Sequence, residues 1–204
     1  VALGLAEHYL QGRGAYRVHG GGFAGTIQAF VPFDILDDFV AGVSAVVENY
    51  QASNAYTTCM WHNLITCKVI YDANGRLTAA KERFSVPYPT QLRENIVSRG
   101  MRLLHDSMPA YELQINKAAQ RGDLVSVNHR TAAFLETYFD VLLARNEQTH
   151  PGEKRLIQLC KETCSVLPER FEENLQELFA HLFTQPELIA SDLAKIIDGL
   201  TKIL

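Results

Sequence analysis

Long apolar runs are missing from this sequence: none approaches the roughly 20 residues that a membrane-crossing helix needs. An excess of positive charge is missing too. Nineteen Lys and Arg face 23 Asp and Glu, for a net charge of −4, so a general nucleic-acid binder relying on phosphate contacts is not expected. Nor is a signal peptide expected from the opening residues. The expected compartment is therefore the cytoplasm, with neither a membrane nor a nucleic acid as partner. Cysteine is sparse, at four residues, and no pair has C-x-x-C spacing. Cys59 and Cys67 flank an expected strand, and Cys160 and Cys164 lie one helical turn apart. Small reduced thiols are the expected reading; a zinc site joining the cysteines with His62 is the alternative, and no metal ligand is assigned.

What the chain does have is core-forming material, with an apolar fraction of 47% over 204 residues, enough for one large or two small domains. It also has one run whose composition demands a special backbone. Gly20, Gly21, Gly22 and Gly25 crowd around Phe23, with Gly12 and Gly14 upstream. Glycine reaches positive φ without steric cost and lets a ligand come close to the backbone, so such a loop between strands suits an anion or a sugar. The plain alternative is a glycine-rich turn that only reverses the chain. Residues 15–19 and 26–31 read as the flanking strands, and residues 34–50 carry the apolar spacing of an amphipathic helix.

The run from Gly14 through His19, Gly20, Gly21, Gly22, Phe23, Ala24 and Gly25 to Pro32, with Leu3-Gly4-Leu5-Ala6-Glu7 before it, resembles the last glycine motif of bacterial galactokinases. These belong to the kinase superfamily that includes homoserine, mevalonate and phosphomevalonate kinases. The resemblance covers about the first 50 residues. It implies that Gly20, Gly21, Gly22, Phe23 and Gly25 lie beside a sugar or phosphate site. Ala24 departs from the glycine usual there. Phosphoryl transfer needs a nucleotide-phosphate cradle, a metal-binding group and a residue that positions the nucleophile. This sequence has no second glycine-serine loop and no preceding segment to carry a base, so it reads as a tail without its catalytic head.

The resemblance fades after Val47, and residues 51–56 read as a linker or a junction between unrelated parts. Residues 65–71 look like a strand ended by Asp72-Ala73-Asn74-Gly75, where Asn-Gly signals a hairpin and Asp72 caps the turn. Residues 57–87 thus form an expected strand and hairpin segment, and residues 88–204 an expected helical bundle. The helices are placed at 90–106, 111–120, 124–145, from Pro151 onward, after Pro168 and after Pro186. The broad apolar stripe of residues 124–145 marks the central helix of the bundle. Asn128 falls on its apolar side, as a satisfied core amide or part of a ligand site, while His129, Glu136 and Asp140 share the other side, as a solvated face or an acid/base cluster. Lys154 and Arg155 sit near a helix start, where the dipole disfavours cations unless an anion or solvent compensates.

His62-Asn63-Leu64, the run Val69 to Leu77, Tyr88-Pro89, and Asn146 followed by His150 through Leu156 resemble the C-terminal part of a nucleotidyltransferase-like family of unknown function. That family is related in fold to aminoglycoside nucleotidyltransferases. The resemblance spans roughly residues 57–204 and implies a helical domain that shapes a substrate cleft, with Asn146, Lys154 and Arg155 as nucleotide-binding residues. Nucleotidyl transfer of this kind uses a Gly-Ser turn and a D-x-D pair of acids for magnesium. The sequence contains neither.

The expected fold class is α+β: a small incomplete α/β segment over residues 1–50, then a mainly α-helical bundle. The expected function is a composite of galactokinase-like and nucleotidyltransferase-like C-terminal parts without complete catalytic machinery, binding at most a sugar or a nucleotide. No catalytic residue is assigned and no cofactor is expected to be intrinsic. ATP and magnesium are what the two resemblances imply for a complete enzyme. The alternative is a non-catalytic helical interaction module that binds a protein partner or completes an enzyme in trans.

Overall fold

The computed structural model describes residues 10–19, 26–30, 32–53 and 55–204. Two strands, β1 (Ala15–His19) and β2 (Thr26–Phe30), pair antiparallel with Ala15 opposite Phe30 and His19 opposite Thr26. Helices α1 (Phe33–Val47), α2 (Cys59–Thr66), α3 (Arg76–Phe84) and α4 (Thr90–Met101) follow. The last of these runs on through a wider π-helical turn, Arg102–Asp106. Then come α5 (Tyr111–Gln120), α6 (Leu124–Arg145), α7 (Leu156–Thr163), α8 (Phe171–His181) and α9 (Ile189–Thr201).

The expected α+β class is overturned. Among the described residues the ribbon β1–β2 joins no larger sheet. A single two-stranded ribbon cannot supply a packing layer, whereas the helices build the cores, so the class is all-α. The strand expected over residues 65–71 is absent for a related reason. Ile70 and Tyr71 are 75% and 84% exposed with no neighbouring strand among the described residues, and β-forming residues realise that preference only against a partner. Upstream, Trp61 and Leu64 are both buried at i, i+3 spacing, so helix α2 is what gains from burial.

Nor do Asn74 and Gly75 turn a hairpin. Gly75 has φ +67° and sits at the entry to α3. Asp72 Oδ2 accepts from the Thr78 N–H at 2.8 Å and from its hydroxyl at 2.9 Å, satisfying a donor that the helix start leaves open. Asp123 does the equivalent for α6, accepting from the Ser126 N–H at 3.1 Å.

Two apolar cores result. The first gathers Val43 and Val47 of α1, Trp61 and Leu64 of α2, Ala80 and Phe84 of α3, and Leu92 and Ile96 of α4 around Ala144 near the end of α6. The indole N–H of Trp61 donates to the Phe84 carbonyl at 2.8 Å, so this large side chain buries no unpaired donor. The second core joins α5, α6, α8 and α9 through Ile115, Phe134, Tyr138, Leu142, Leu175, Leu178, Leu193 and Leu200. Helix α6 serves both. Gly100 of α4 lets the two helices touch, since a Cβ there would lie 2.1 Å from Val141 Cγ2.

This double service corrects the expectation for α6. Asn128 is exposed rather than on the core side, as is Leu124, while Val127 between them is buried in the second core. Tyr138 to Ala144 are all buried, Asp140 among them. At Asp140 the face that periodicity assigns to solvent is covered by the segment before α2, through Thr57, whereas His129 on the same face stays exposed. Residues on both sides of the expected junction at 51–56 contribute to the first core, and Arg83 of α3 pairs with Glu48 at 2.6 Å beside it.

Candidate functional site

A cleft of about 860 Å³ opens between α6, α7 and α8. Leu135 and Phe139 of α6 and Leu156 and Ile157 of α7 give it an apolar lining. Tyr56 stands on one side and Phe179 of α8, 48% exposed, on another. Its charged groups are Glu136, Glu153, Glu162 and Glu172 against Arg155 and Lys161, so the lining is acidic on balance. Lys161 is paired with Glu172, and Arg155 Nε donates to Gln158 Oε1 at 3.0 Å, while the Gln158 amide donates to Glu162 at 2.7 Å.

Two residues of the lining hold unusual backbones. Tyr56 has φ 50° and Arg155 φ 55°, in the left-handed region that side chains other than glycine seldom occupy. Such conformations cost of order 1–3 kcal/mol each and persist only where surrounding contacts impose them. For Tyr56 the imposing contacts are visible. The adjacent Thr57 donates to Asp140 Oδ2 from its N–H and from its hydroxyl, both at 3.1 Å. Thr58 Oγ1 accepts from the His150 N–H at 2.7 Å, and the Tyr56 ring packs edge-on against the His150 imidazole with centroids 4.8 Å apart.

The buried groups behind the cleft titrate abnormally. Burial pushes the Asp140 carboxyl up to about 6, against the opposing pull of its two Thr57 hydrogen bonds. Burial, with the charge of His62 adding to it, holds His150 down at about 4. His150 Nδ1 accepts from the Gly152 N–H at 3.0 Å, which places the ring proton on Nε2. That nitrogen lies 3.9 Å from Asp140 Oδ1, beyond hydrogen-bond distance. Burial and the Glu136 and Glu153 carboxylates push the Tyr56 hydroxyl up to about 12, so it remains a neutral hydrogen-bonding group. The arrangement is a clamp that aims Tyr56. No nucleophile is activated in it.

Of the site residues expected from sequence, Arg155 lines the cleft and the exposed Lys154 does not. Asn146 is engaged at the end of α6: its amide donates to the Leu142 and Val166 carbonyls, both at 2.9 Å, and its oxygen accepts from the Val166 N–H at 2.9 Å. It fastens the loop after α7 to α6. Gly20, Gly21, Gly22, Phe23 and Gly25 lie outside the described residues. Sequence reasoning missed Tyr56, gave His150 no role beyond its place in a resembling motif, and set Asp140 on a solvated face or in an acid/base cluster with His129 and Glu136. For Asp140 a signal existed, because it is a single acid inside Tyr138-Phe139-Asp140-Val141-Leu142-Leu143-Ala144. For Tyr56 there was none.

Residues 56–156 match the family model of a domain of unknown function (DUF4037). The DUF4037 region thus begins at the clamp residue Tyr56 and ends where α7 begins, enclosing Asp140, His150 and Arg155. Helix α1, which completes the first core, and α8 and α9, which complete the second, lie outside it. Neither the curated proteins nor the solved structures contain a match to the chain. No helix among the described residues is long and apolar enough to cross a membrane.

Proposed function

We propose that this chain is a ligand-binding module of transferase-like descent that takes a sugar-class molecule in the cleft between α6, α7 and α8 and lacks a complete catalytic centre of its own. One observation carries the reading: Tyr56 and Arg155, both held in left-handed backbone conformations, line the same cleft. Backbone cost of that kind collects where a side chain has to be aimed. The lining suits a sugar, because aromatic faces meet its C–H surfaces while carboxylates, Gln158 and the Arg155 guanidinium exchange hydrogen bonds with hydroxyls. A nucleotide triphosphate fits less well. Its charge meets an acidic balance, and Asn146 and Lys154 are not at the cleft. The galactokinase resemblance of residues 1–50 agrees with a sugar; ATP and magnesium are what the two resemblances imply for a complete enzyme, and the acidic balance of the cleft does not favour them.

The test is titration calorimetry of the whole chain with galactose and related monosaccharides, and separately with ATP and magnesium. Sugar binding is expected to weaken at least tenfold in Arg155→Ala and to stay at the wild-type level in Lys154→Ala. Tight binding of ATP that Lys154→Ala abolishes, or magnesium-dependent turnover lost in Asp72→Asn, would replace this reading with a catalytic one.

A second reading, a non-catalytic interaction module, has a specific observation in its favour. Phe179 and Phe183, one helical turn apart, are 48% and 52% exposed. Cross-linking of the chain to a separately encoded catalytic partner, lost in Phe183→Asp while sugar binding is absent from the wild type, would favour it.

A further inference from the structure

Helix α7 ends at Thr163, and Cys164 is the first residue beyond it, with extended backbone at φ −84° and ψ 126°. Its N–H still donates to the Cys160 carbonyl at 2.9 Å. One helical turn therefore separates the two residues, which puts their Cα atoms about 6 Å apart, inside the ~4.4–6.8 Å range that a disulfide spans. Cys160 is wholly buried against the second core, while Cys164 is half-buried between the exposed Thr163 and Ser165. Leaving the helix frees the Cys164 side chain from the rotamers of the last turn.

We propose that Cys160 and Cys164 are a reversible dithiol–disulfide pair, a modification site whose oxidant is a small hydroperoxide. The division of labour follows from the geometry. Interaction between the two sulfurs lowers the Cys164 thiol below its ordinary range and raises that of Cys160, in the same sense as their difference in burial. The half-buried Cys164 is therefore the attacking thiolate, and the wholly buried Cys160 resolves it. In the first step the Cys164 thiolate attacks the distal peroxide oxygen; the O–O bond breaks, an S–O bond forms, and the alkoxide leaves with a proton as alcohol. In the second step the Cys160 sulfur attacks the resulting sulfenic acid. The S–O bond breaks, the S–S bond forms, and the Cys160 proton leaves with the hydroxyl as water. Two thiols have lost two electrons and two protons, and the peroxide has taken them up.

The other two cysteines serve as an internal contrast. Cys59 and Cys67 stand at opposite ends of α2, about 12 Å of helix apart. Burial pushes both thiols up, and the Cys67 S–H is occupied with the Leu64 carbonyl at 3.1 Å. They cannot pair without unwinding α2.

The experiment treats the whole chain with one equivalent of hydrogen peroxide, counts free thiols after unfolding, and maps tryptic fragments without reduction. The count is expected to fall from four to two. Trypsin cuts after Lys161, so fragments 156–161 and 162–170 are expected to travel together and to separate with dithiothreitol. Thiol loss is expected to slow at least tenfold in Cys164→Ser. In Cys160→Ala, which keeps a small apolar group in the core, Cys164 is expected to accumulate as a sulfenic acid that a cyclic dione traps. A bridge involving Cys59 or Cys67, oxidation of wild-type Cys164 to sulfinic acid without a cross-link, or wild-type rates in Cys164→Ser would each overturn the proposal. Ligand binding by the cleft does not enter any of these readouts.

Discussion

The two cores of this protein are built from different kinds of element. The second is a bundle of amphipathic helices whose apolar residues repeat at helical spacing, with Leu175 and Leu178 of α8 facing Leu193, Ile196 and Leu200 of α9. The first is assembled from short pieces. Helices α2 and α3 have eight and nine residues, too few to be stable alone, and they are held by two large side chains, Trp61 and Phe84, and by α1. A core that rests on repetition tolerates the loss of one contact better than a core that rests on two aromatic anchors. Because α6 contributes to both, neither is free to unfold alone.

The largest expected effect tests that linkage. Trp61→Ala removes the main anchor of the first core and strands the Phe84 carbonyl, and is expected to cost about 3–5 kcal/mol. Denaturant unfolding followed by circular dichroism should still give a single transition, shifted as a whole. A bundle transition that keeps its wild-type midpoint would show that the two cores are independent.

The next effect is read from pH. Asp140, raised to about 6, adds stability that is complete below its ordinary value of about 3.9 and is lost as pH rises through about 6. His150, held at about 4, adds stability that is complete above its ordinary value of about 6.5 and is lost as pH falls through about 4. Each shift corresponds to roughly 3 kcal/mol, and over pH 4 to 6.5 the two oppose one another. The wild-type midpoint should thus stay nearly level across that range. Asp140→Asn keeps an acceptor for Thr57 and removes one of the two slopes, so its stability should fall steadily with acidification. Calorimetric midpoints at half-unit steps decide this, and a level profile in the variant would refute the assignment.

A smaller effect probes the seam between the cores. Gly100→Ala drives a methyl into Val141 and should cost about 1–3 kcal/mol. Val141→Ala on top of it makes room, so the double variant should be more stable than the sum of the two single changes predicts. Strict additivity would mean that α4 and α6 are not in contact there. Smallest is Gly75→Ala, which places a side chain in the left-handed entry to α3 and should lower stability by about 1 kcal/mol. No loss would mean that residue 75 is not left-handed.

These contrasts also explain which parts of the molecule were legible in advance. Helices α4 to α6, α8 and α9 follow from apolar spacing bounded by Pro109, Arg121-Gly122-Asp123, Pro168 and Pro186. The residues around α2 and α3 were misread as strand and hairpin, since Val69-Ile70-Tyr71 and Asn74-Gly75 have the local chemistry of both outcomes. What settled them was burial of Trp61, Leu64, Ala80 and Phe84 against α1 and α4, from which a local window is blind. The cleft shows the same division. Arg155 was visible as a cation at a helix start, but Asn146, quoted for a ligand, spends its amide on Val166.

Sequence alone was enough for the helical bundle and for most of its helix boundaries, though not for the start of α7, expected at Pro151 and found at Leu156, because these depend on the order of apolar, capping and breaking residues within a few turns. Only the tertiary structure decided the all-α class, the burial of Asp140 and the aim of Tyr56. The first depends on the burial of α2 and α3 in the first core and the other two on contacts between residues 83 and 92 positions apart, Thr57 with Asp140 and Thr58 with His150, and no short-range pattern encodes which distant surface will cover a given face.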